Sequence, residues 1–332
     1  DLHLSIRRQR QMCIRDRYDL IPENQSCQTL QSAWSAGIRF YDTAPWYGHG
    51  LSEHRIGGLL RQQNQEDFIC STKVGRVYSR FRGKAKDFYG PPWVGGLPFT
   101  LKFDYTYDGI LRSYEDSLLR LGLNRVDVLI IHDIDLNYHR TESHINQKFR
   151  ELESGWKALD ELKRSGEIQA FGAGINKESL IPRFLEECPL DFFLVAHPYT
   201  LLDQGVLETI FPKCERLGVG VVVGAPYASG ILATGAVQRA KYRYSEATPD
   251  VMTKVQLIER ICKDHQTPLK AAALQFPLGH PLVASVIPGA FRPEQVMENR
   301  KLFEHPIPAS FWDACKTANL IRMDAPVPSN VF

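Results

Sequence analysis

Seven short, almost uninterrupted apolar segments recur after residue 37, and stretches of helical spacing or loop composition lie between them. They are IRFYDTA, DFICSTKVG, VDVLIIH, IQAFGAGIN, DFFLVAH, VGVVVGA and LVASVIPGA. Runs this short and this apolar suit strands covered on both faces. Their alternation with helices means a parallel α/β fold. ENQSCQTLQSAWSAG reads as an amphipathic helix closed by Gly37, and LSEHRIGGLLRQQ as a second. YDGILRSYEDSLLRLGL sets Ile110, Tyr114, Leu118 and Leu121 at helical spacing, with Asp108 as N-cap and Gly122 as stop. SGWKALDELKRSG is a further helix, with Lys163 and Arg164 in its last turn.

Two parallel architectures compete. A doubly wound sheet would show a glycine-rich phosphate loop after its first strand, and neither GxGxxG nor GxxxxGK[ST] occurs. A (β/α)8 barrel of the TIM type is favoured, and it needs one more strand near the N-terminus. The opening DLHLSIRRQRQMCIRDR is densely basic and has no glycine turn, although LHLSI alternates enough for an improvised strand. Residues 1–17 are therefore read as an atypical, extraneous leader that leaves the first strand atypical or missing. Residues 18–332 are read as one barrel domain, a length that barrels reach without subdividing. A composition of 43% hydrophobic and 23% charged residues supplies a large core. A net charge of +2 implies no nucleic-acid or membrane-surface partner. No apolar run approaches the ~20 residues of a membrane span. The seven cysteines include no CxxC pair, which suits free thiols in a reducing cytoplasm. A monomer or weak oligomer is expected.

In a barrel the chemistry gathers at the C-terminal strand ends. Asp42 ends IRFYD, Lys73 ends FICSTK and His132 ends VDVLIIH. Tyr47 lies just beyond Asp42, in a glycine-containing loop that looks mobile. Each residue alone has an ordinary explanation: a turn cap, a loop aromatic, a snorkelling lysine, a satisfied core histidine. Together they need another, because buried Asp and Lys are rare unless paired. A phenol titrates near pKa ~10. An ammonium beside it favours phenolate, an aspartate holds that ammonium, and an imidazole opposite can bond a substrate oxygen. Such a set is a tuned acid–base suited to hydride transfer at a carbinol or carbonyl.

The strings DTAPWYGHGLSEHRIGGLL, STKVGR, DSLLRLGLNRVDVLIIHDID, ALDELKRSGEIQAFGAGIN and SVIPGAFRPEQVMEN resemble the aldo-keto reductase superfamily, from about residue 24 almost to the C-terminus. DTAPWYGHG, IHDID and GAPYASGIL look most like its D-threo-aldose 1-dehydrogenase branch (L-fucose and L-galactose dehydrogenase-like), with pyridoxal 4-dehydrogenase close by. The resemblance implies a tetrad of Asp42, Tyr47, Lys73 and His132, with Tyr47 as acid–base. It implies NAD, or NADP, lying extended across the barrel mouth. Asn176 would hold the carboxamide, and His197 stands where the family has Gln. Gly224 replaces the aromatic that stacks on the nicotinamide, with Tyr227 nearby. The loop Ala225, Pro226, Tyr227, Ser229 and Gly230 would follow the pyrophosphate. Gly289, Ala290, Arg292 and Gln295 fall near the ribose 2′ position, and Glu298 and Asn299 on the adenine side. Gly289 and Gln295 replace the basic pair of NADP-preferring members, which favours NAD.

Two long loops bear on substrate. Residues 75–107 are rich in Arg, Tyr and Phe, and read equally as a solvated charged surface or as a lid that offers Tyr78, with Trp46 beside it, to a monosaccharide. Residues 133–150 contain Asp133, Asp135, His139 and His144, whose spacing matches no metal-ligand motif, so no metal is expected. The activity implied is oxidation of an aldose anomeric hydroxyl to a lactone. Reduction of small aldehydes and oxidation of pyridoxal are alternatives. A non-catalytic nucleotide-binding barrel, and an inactive product of a damaged N-terminus, remain as readings of another class.

Overall fold

A computed structural model describes residues 11–12 and 20–328. Eight parallel strands form one sheet in chain order. They are β1 Gln11–Met12, β2 Phe40–Asp42, β3 Ile69–Val74, β4 Val128–His132, β5 Ala170–Ile175, β6 Phe192–Val195, β7 Gly220–Gly224 and β8 Val283–Ile287. All seven apolar segments are strands. The eighth is a two-residue strand that pairs Gln11 with Phe40 and Met12 with Tyr41. β1 also comes within 8 Å of β8, Cα to Cα, so the sheet curls back on itself. The LHLSI strand lies outside the described residues, as does the leader reading apart from Gln11 and Met12.

The strands are apolar throughout because both faces are covered, yet they still alternate. Val128 and Ile130 of β4 point into the barrel, where they meet Leu194, Val222 and Ile287. Leu129 and Ile131 point outward into the larger core shared with the helices. Burying each such side chain is worth about 1.5–3 kcal/mol. The principal outer helices are α1 Glu23–Ser35, α2 Leu51–Leu60, α3 Tyr107–Leu121, α4 Glu142–Arg164, α5 Ile181–Glu187, α6 Phe211–Leu217, α7 Leu269–Gln275 and α8 Pro293–Glu304. Among the described residues no helix is long and apolar enough to cross a membrane.

Local chemistry corrects several boundaries. Thr106, not Asp108, caps α3: its Oγ1 accepts from Gly109 N at 3.2 Å. Gly122 stops that helix in the left-handed region, at φ 65°. Residues 133–150 are not a long loop. Asp135 caps a single turn, Leu136–His139, and Thr141 caps α4, which therefore starts well before SGWKALDELKRSG. Ile145, Phe149 and Leu152 extend its buried face. Residues 75–107 also contain an antiparallel ribbon in which Arg76–Arg80 pairs with Phe99–Phe103.

Candidate active site

The strand ends bring the expected groups together. Asp42 ends β2, His132 ends β4, and Lys73 is the penultimate residue of β3. Lys73 is 2% exposed and Asp42 1%. The ammonium donates to Asp42 Oδ1 at 3.0 Å, Asp42 Oδ2 at 2.8 Å and Thr43 O at 2.8 Å, which uses all three protons. Ser71 Oγ donates to Asp42 Oδ1 at 2.8 Å. The same ammonium lies 4.8 Å from the centroid of the Tyr47 ring. Tyr47 meets His132 edge-on, with centroids 5.8 Å apart and planes at 89°.

The loop that carries Tyr47 is pinned. Gly48, His49 and Gly50 have φ of 62°, 51° and 95°, a run of left-handed turns in which the two glycines escape Cβ strain. Leu97 N donates to Gly48 O at 3.1 Å, and His49 Nδ1 lies 2.9 Å from Phe99 O. Tyr78 donates its hydroxyl to the Pro45 carbonyl, and Arg120 stacks over its ring at 4.5 Å. Tyr78 thus braces the loop from behind and does not line the cavity. Trp46 does line it, with Trp93 and Tyr138, which spacing alone had not singled out. Trp93 packs edge-on against Tyr47 at 5.5 Å and is 5% exposed.

A second buried network adjoins the first. Asp133, at φ 58°, accepts from Arg76 Nη2 at 2.7 Å and from Asn176 Nδ2 at 2.9 Å. The Arg76 guanidinium lies among the rings of Trp46, Phe103 and Tyr138 at 4.5, 4.5 and 4.6 Å. Burial pushes the Asp133 carboxyl above its ordinary range, opposed chiefly by Arg76. Tyr105 donates to His132 O at 2.6 Å and fixes that strand end.

From Asn176 a cavity of about 360 Å³ runs past Gly224, Ala225, Pro226, Tyr227, Ser229 and Gly230 to Gly289, Ala290, Gln295, Glu298 and Asn299. Its wall at Ala225, Ser229 and Gly230 is left-handed backbone. Tyr227 donates to Asn299 Oδ1 at 2.6 Å, and Tyr244 N to Ser229 Oγ at 3.0 Å. Two expected cofactor residues fall outside it. His197 lies behind the wall against the Tyr244 ring at 4.8 Å, and the wall itself is Ala196. Arg292 folds over the Phe291 ring at 5.4 Å, while Lys270, from α7, lines the cavity and pairs with Glu298 at 2.7 Å. Among the described residues no His, Cys, Asp or Glu cluster could hold a metal.

Buried charge neutralised beneath a phenol, at the C-terminal mouth of a parallel barrel and beside a long groove, is the arrangement of a barrel oxidoreductase. Comparison with known proteins narrows the class. The Aldo/keto reductase family model matches residues 12–320, and the chain belongs to that family. It is 38% identical over 301 residues to a pyridoxal 4-dehydrogenase from Microbacterium luteolum, covering 88% of this chain and 87% of that one. It is 34% identical over 309 residues to a D-threo-aldose 1-dehydrogenase from a Pseudomonas species, covering 91% and 90%. In fold it matches an aldo-keto reductase from Bacillus halodurans with a TM-score of 0.72 at 23% identity, covering 97% of this chain and 93% of that one. The chain is thus an NAD(P)-dependent oxidoreductase. Its groove suits a dinucleotide: Asn176 spends both Nδ2 protons on Asp133 and Asp135, leaving Oδ1 as an acceptor fit for a carboxamide NH2.

Proposed function

We propose that this enzyme oxidises the anomeric hydroxyl of a free aldose of the L-fucose or D-threo type to its lactone, with Tyr47 as the acid–base. One observation carries the reading: Lys73 grips both oxygens of Asp42 directly beneath the Tyr47 ring. An ammonium held in this way cannot swing to solvent, so its charge stays where phenolate forms. Phenolate Tyr47 takes the hydroxyl proton from the substrate, and His132 orients the same oxygen. The bound nicotinamide supplies the hydride acceptor. Trp93 and Trp46 shield the phenol and offer flat faces to a ring.

Pyridoxal is the second reading, favoured by the all-aromatic wall of Trp46, Trp93 and Tyr138. Aldoses and pyridoxal both carry an aldehyde with a hydroxyl within ring-closing reach. A cyclic hemiacetal is therefore the chemistry common to the two, and loss of hydride and proton from its carbinol gives a lactone in either case. NAD is favoured over NADP because the 2′ side presents Gly289 and Gln295, neither of which carries a positive charge for a 2′-phosphate.

The test is NADH and NADPH formation with L-fucose, D-arabinose, L-galactose and pyridoxal, run beside Tyr47→Phe. The variant is expected to lose on the order of 10²–10⁴ in turnover. Its cofactor affinity, read by fluorescence quenching, should stay near wild type. Turnover at the wild-type rate would remove Tyr47 from the chemistry.

A further inference from the structure

Asp133 stands where the substrate half and the cofactor half of the site meet. It is 6% exposed, and each of its oxygens is committed. Oδ2 accepts from Arg76 Nη2 at 2.7 Å and lies 3.1 Å from His132 Nε2. Oδ1 accepts from Asn176 Nδ2 at 2.9 Å. A carboxylate can only accept, so the short approach to His132 requires the proton on Nε2. The same logic turns the Asn176 amide so that Nδ2 faces the carboxylates and Oδ1 is left for the groove. Arg76 supplies the compensating charge, and three aromatic rings hold that arginine in place. Packing alone does not call for a buried ion pair here, since apolar groups of similar volume hold a core at least as well. The left-handed backbone at Asp133 brings this side chain back into the cavity wall instead of continuing along β4.

We propose that Asp133 is a positioning residue that couples the two halves of the site: one carboxylate, neutralised by Arg76, sets the His132 ring and the Asn176 amide together. The inference rests on the oxidoreductase reading above and adds the means by which substrate oxygen and nicotinamide are held in mutual register. Misplacement of about 1 Å costs on the order of 10² in rate, so a single group governing both neighbours has a measurable effect.

Two double-mutant cycles in the full-length chain test it. The first pairs Asp133→Asn with His132→Ala and reads kcat on whichever substrate the wild type oxidises. The second pairs Asp133→Asn with Asn176→Ala and reads the Kd of NAD+ by fluorescence quenching, without turnover. Asp133→Asn alone should lower kcat by about 10²-fold. In the His132→Ala background its cost in kcat should shrink to the part still passing through Asn176, and in the Asn176→Ala background its further weakening of NAD+ should stay under about threefold, because the group through which it acts is already gone. Losses that multiply in either cycle overturn the coupling, as a merely structural role would make them do. If Asp133→Asn strands the Arg76 charge and does not fold, both cycles are repeated with Arg76→Gln added throughout, which removes both ions together. A wild type inactive on every substrate would sink the aldose and pyridoxal readings, while the Kd cycle would still decide the Asn176 half of this one.

Discussion

Lys73 spends every proton it has inside the protein, and this fixes what its loss does. Lys73→Met leaves the Asp42 carboxylate buried without its counter-charge, which should cost about 3–5 kcal/mol of stability. Adding Asp42→Asn should restore most of that, since no ion then remains stranded, while activity stays lost. Equilibrium urea denaturation of the two variants separates stability from chemistry; a double variant as unstable as the single one would contradict the pairing. Asp42, Lys73 and His132 were readable because each stands at or beside a strand end, where an ionisable side chain after an apolar run is conspicuous, and Tyr47 because it follows in the turn after the first of them. Asp133 was not readable in its present role. Its arginine lies 57 positions away, and a contact of that range leaves no spacing signal. Tyr78 sits in a ribbon that turns its hydroxyl to the Pro45 carbonyl, away from the substrate side, and a residue in that ribbon cannot be assigned a face before the ribbon is known. His197 misled for a related reason: β6 ends at Val195, so the wall falls to Ala196.

At the scale of elements, adjacent glycines of α2 make opposite demands. A Cβ on Gly57 would lie 2.0 Å from the carbonyl oxygen of Leu121, at the end of α3, whereas nothing lies within 4 Å of one on Gly58. Gly57→Ala should therefore destabilise by about 1–3 kcal/mol as the helices are forced apart. Gly58→Ala should stabilise by up to about 1 kcal/mol by restoring helix propensity. Calorimetric melting of both variants checks the signs; a shift in the same direction would refute the close approach of α2 and α3. The barrel strands were legible because burial on both faces leaves few polar interruptions. The ribbon of Arg76–Arg80 and Phe99–Phe103 was not: charges interrupt it, and residues 81–98 separate its strands, far beyond the about two to five residues of common hairpin loops. The true start of α4 was hidden because Thr141, a strong cap, stands within a polar stretch that reads as loop.

For the molecule as a whole, acid should weaken the fold through its buried histidines. Burial holds His49, His139 and His280 below the ordinary 6.5. His280 Nδ1 accepts from Leu282 N at 3.1 Å, a bond that protonation of that nitrogen would break. With the folded value depressed, the unfolded chain binds more protons once pH drops below 6.5. Stability is therefore fully present above that pH and declines as pH falls toward the folded values, by at most about 1.4 kcal/mol per unit for each histidine. Urea midpoints from pH 7.5 to 5 should show the decline, less steeply in His280→Asn, whose amide oxygen can still accept from Leu282; an unchanged slope would clear His280. The pinning of the Tyr47 loop reaches further. Leu97, Phe99 and Tyr78 of the 75–107 insert hold the turn that presents the phenol, through Gly48, His49 and Pro45. On the proposed chemistry, a graft that swaps this insert to admit a different molecule would also disturb the turn that presents the phenol, so a change of substrate made there would carry a change of rate with it.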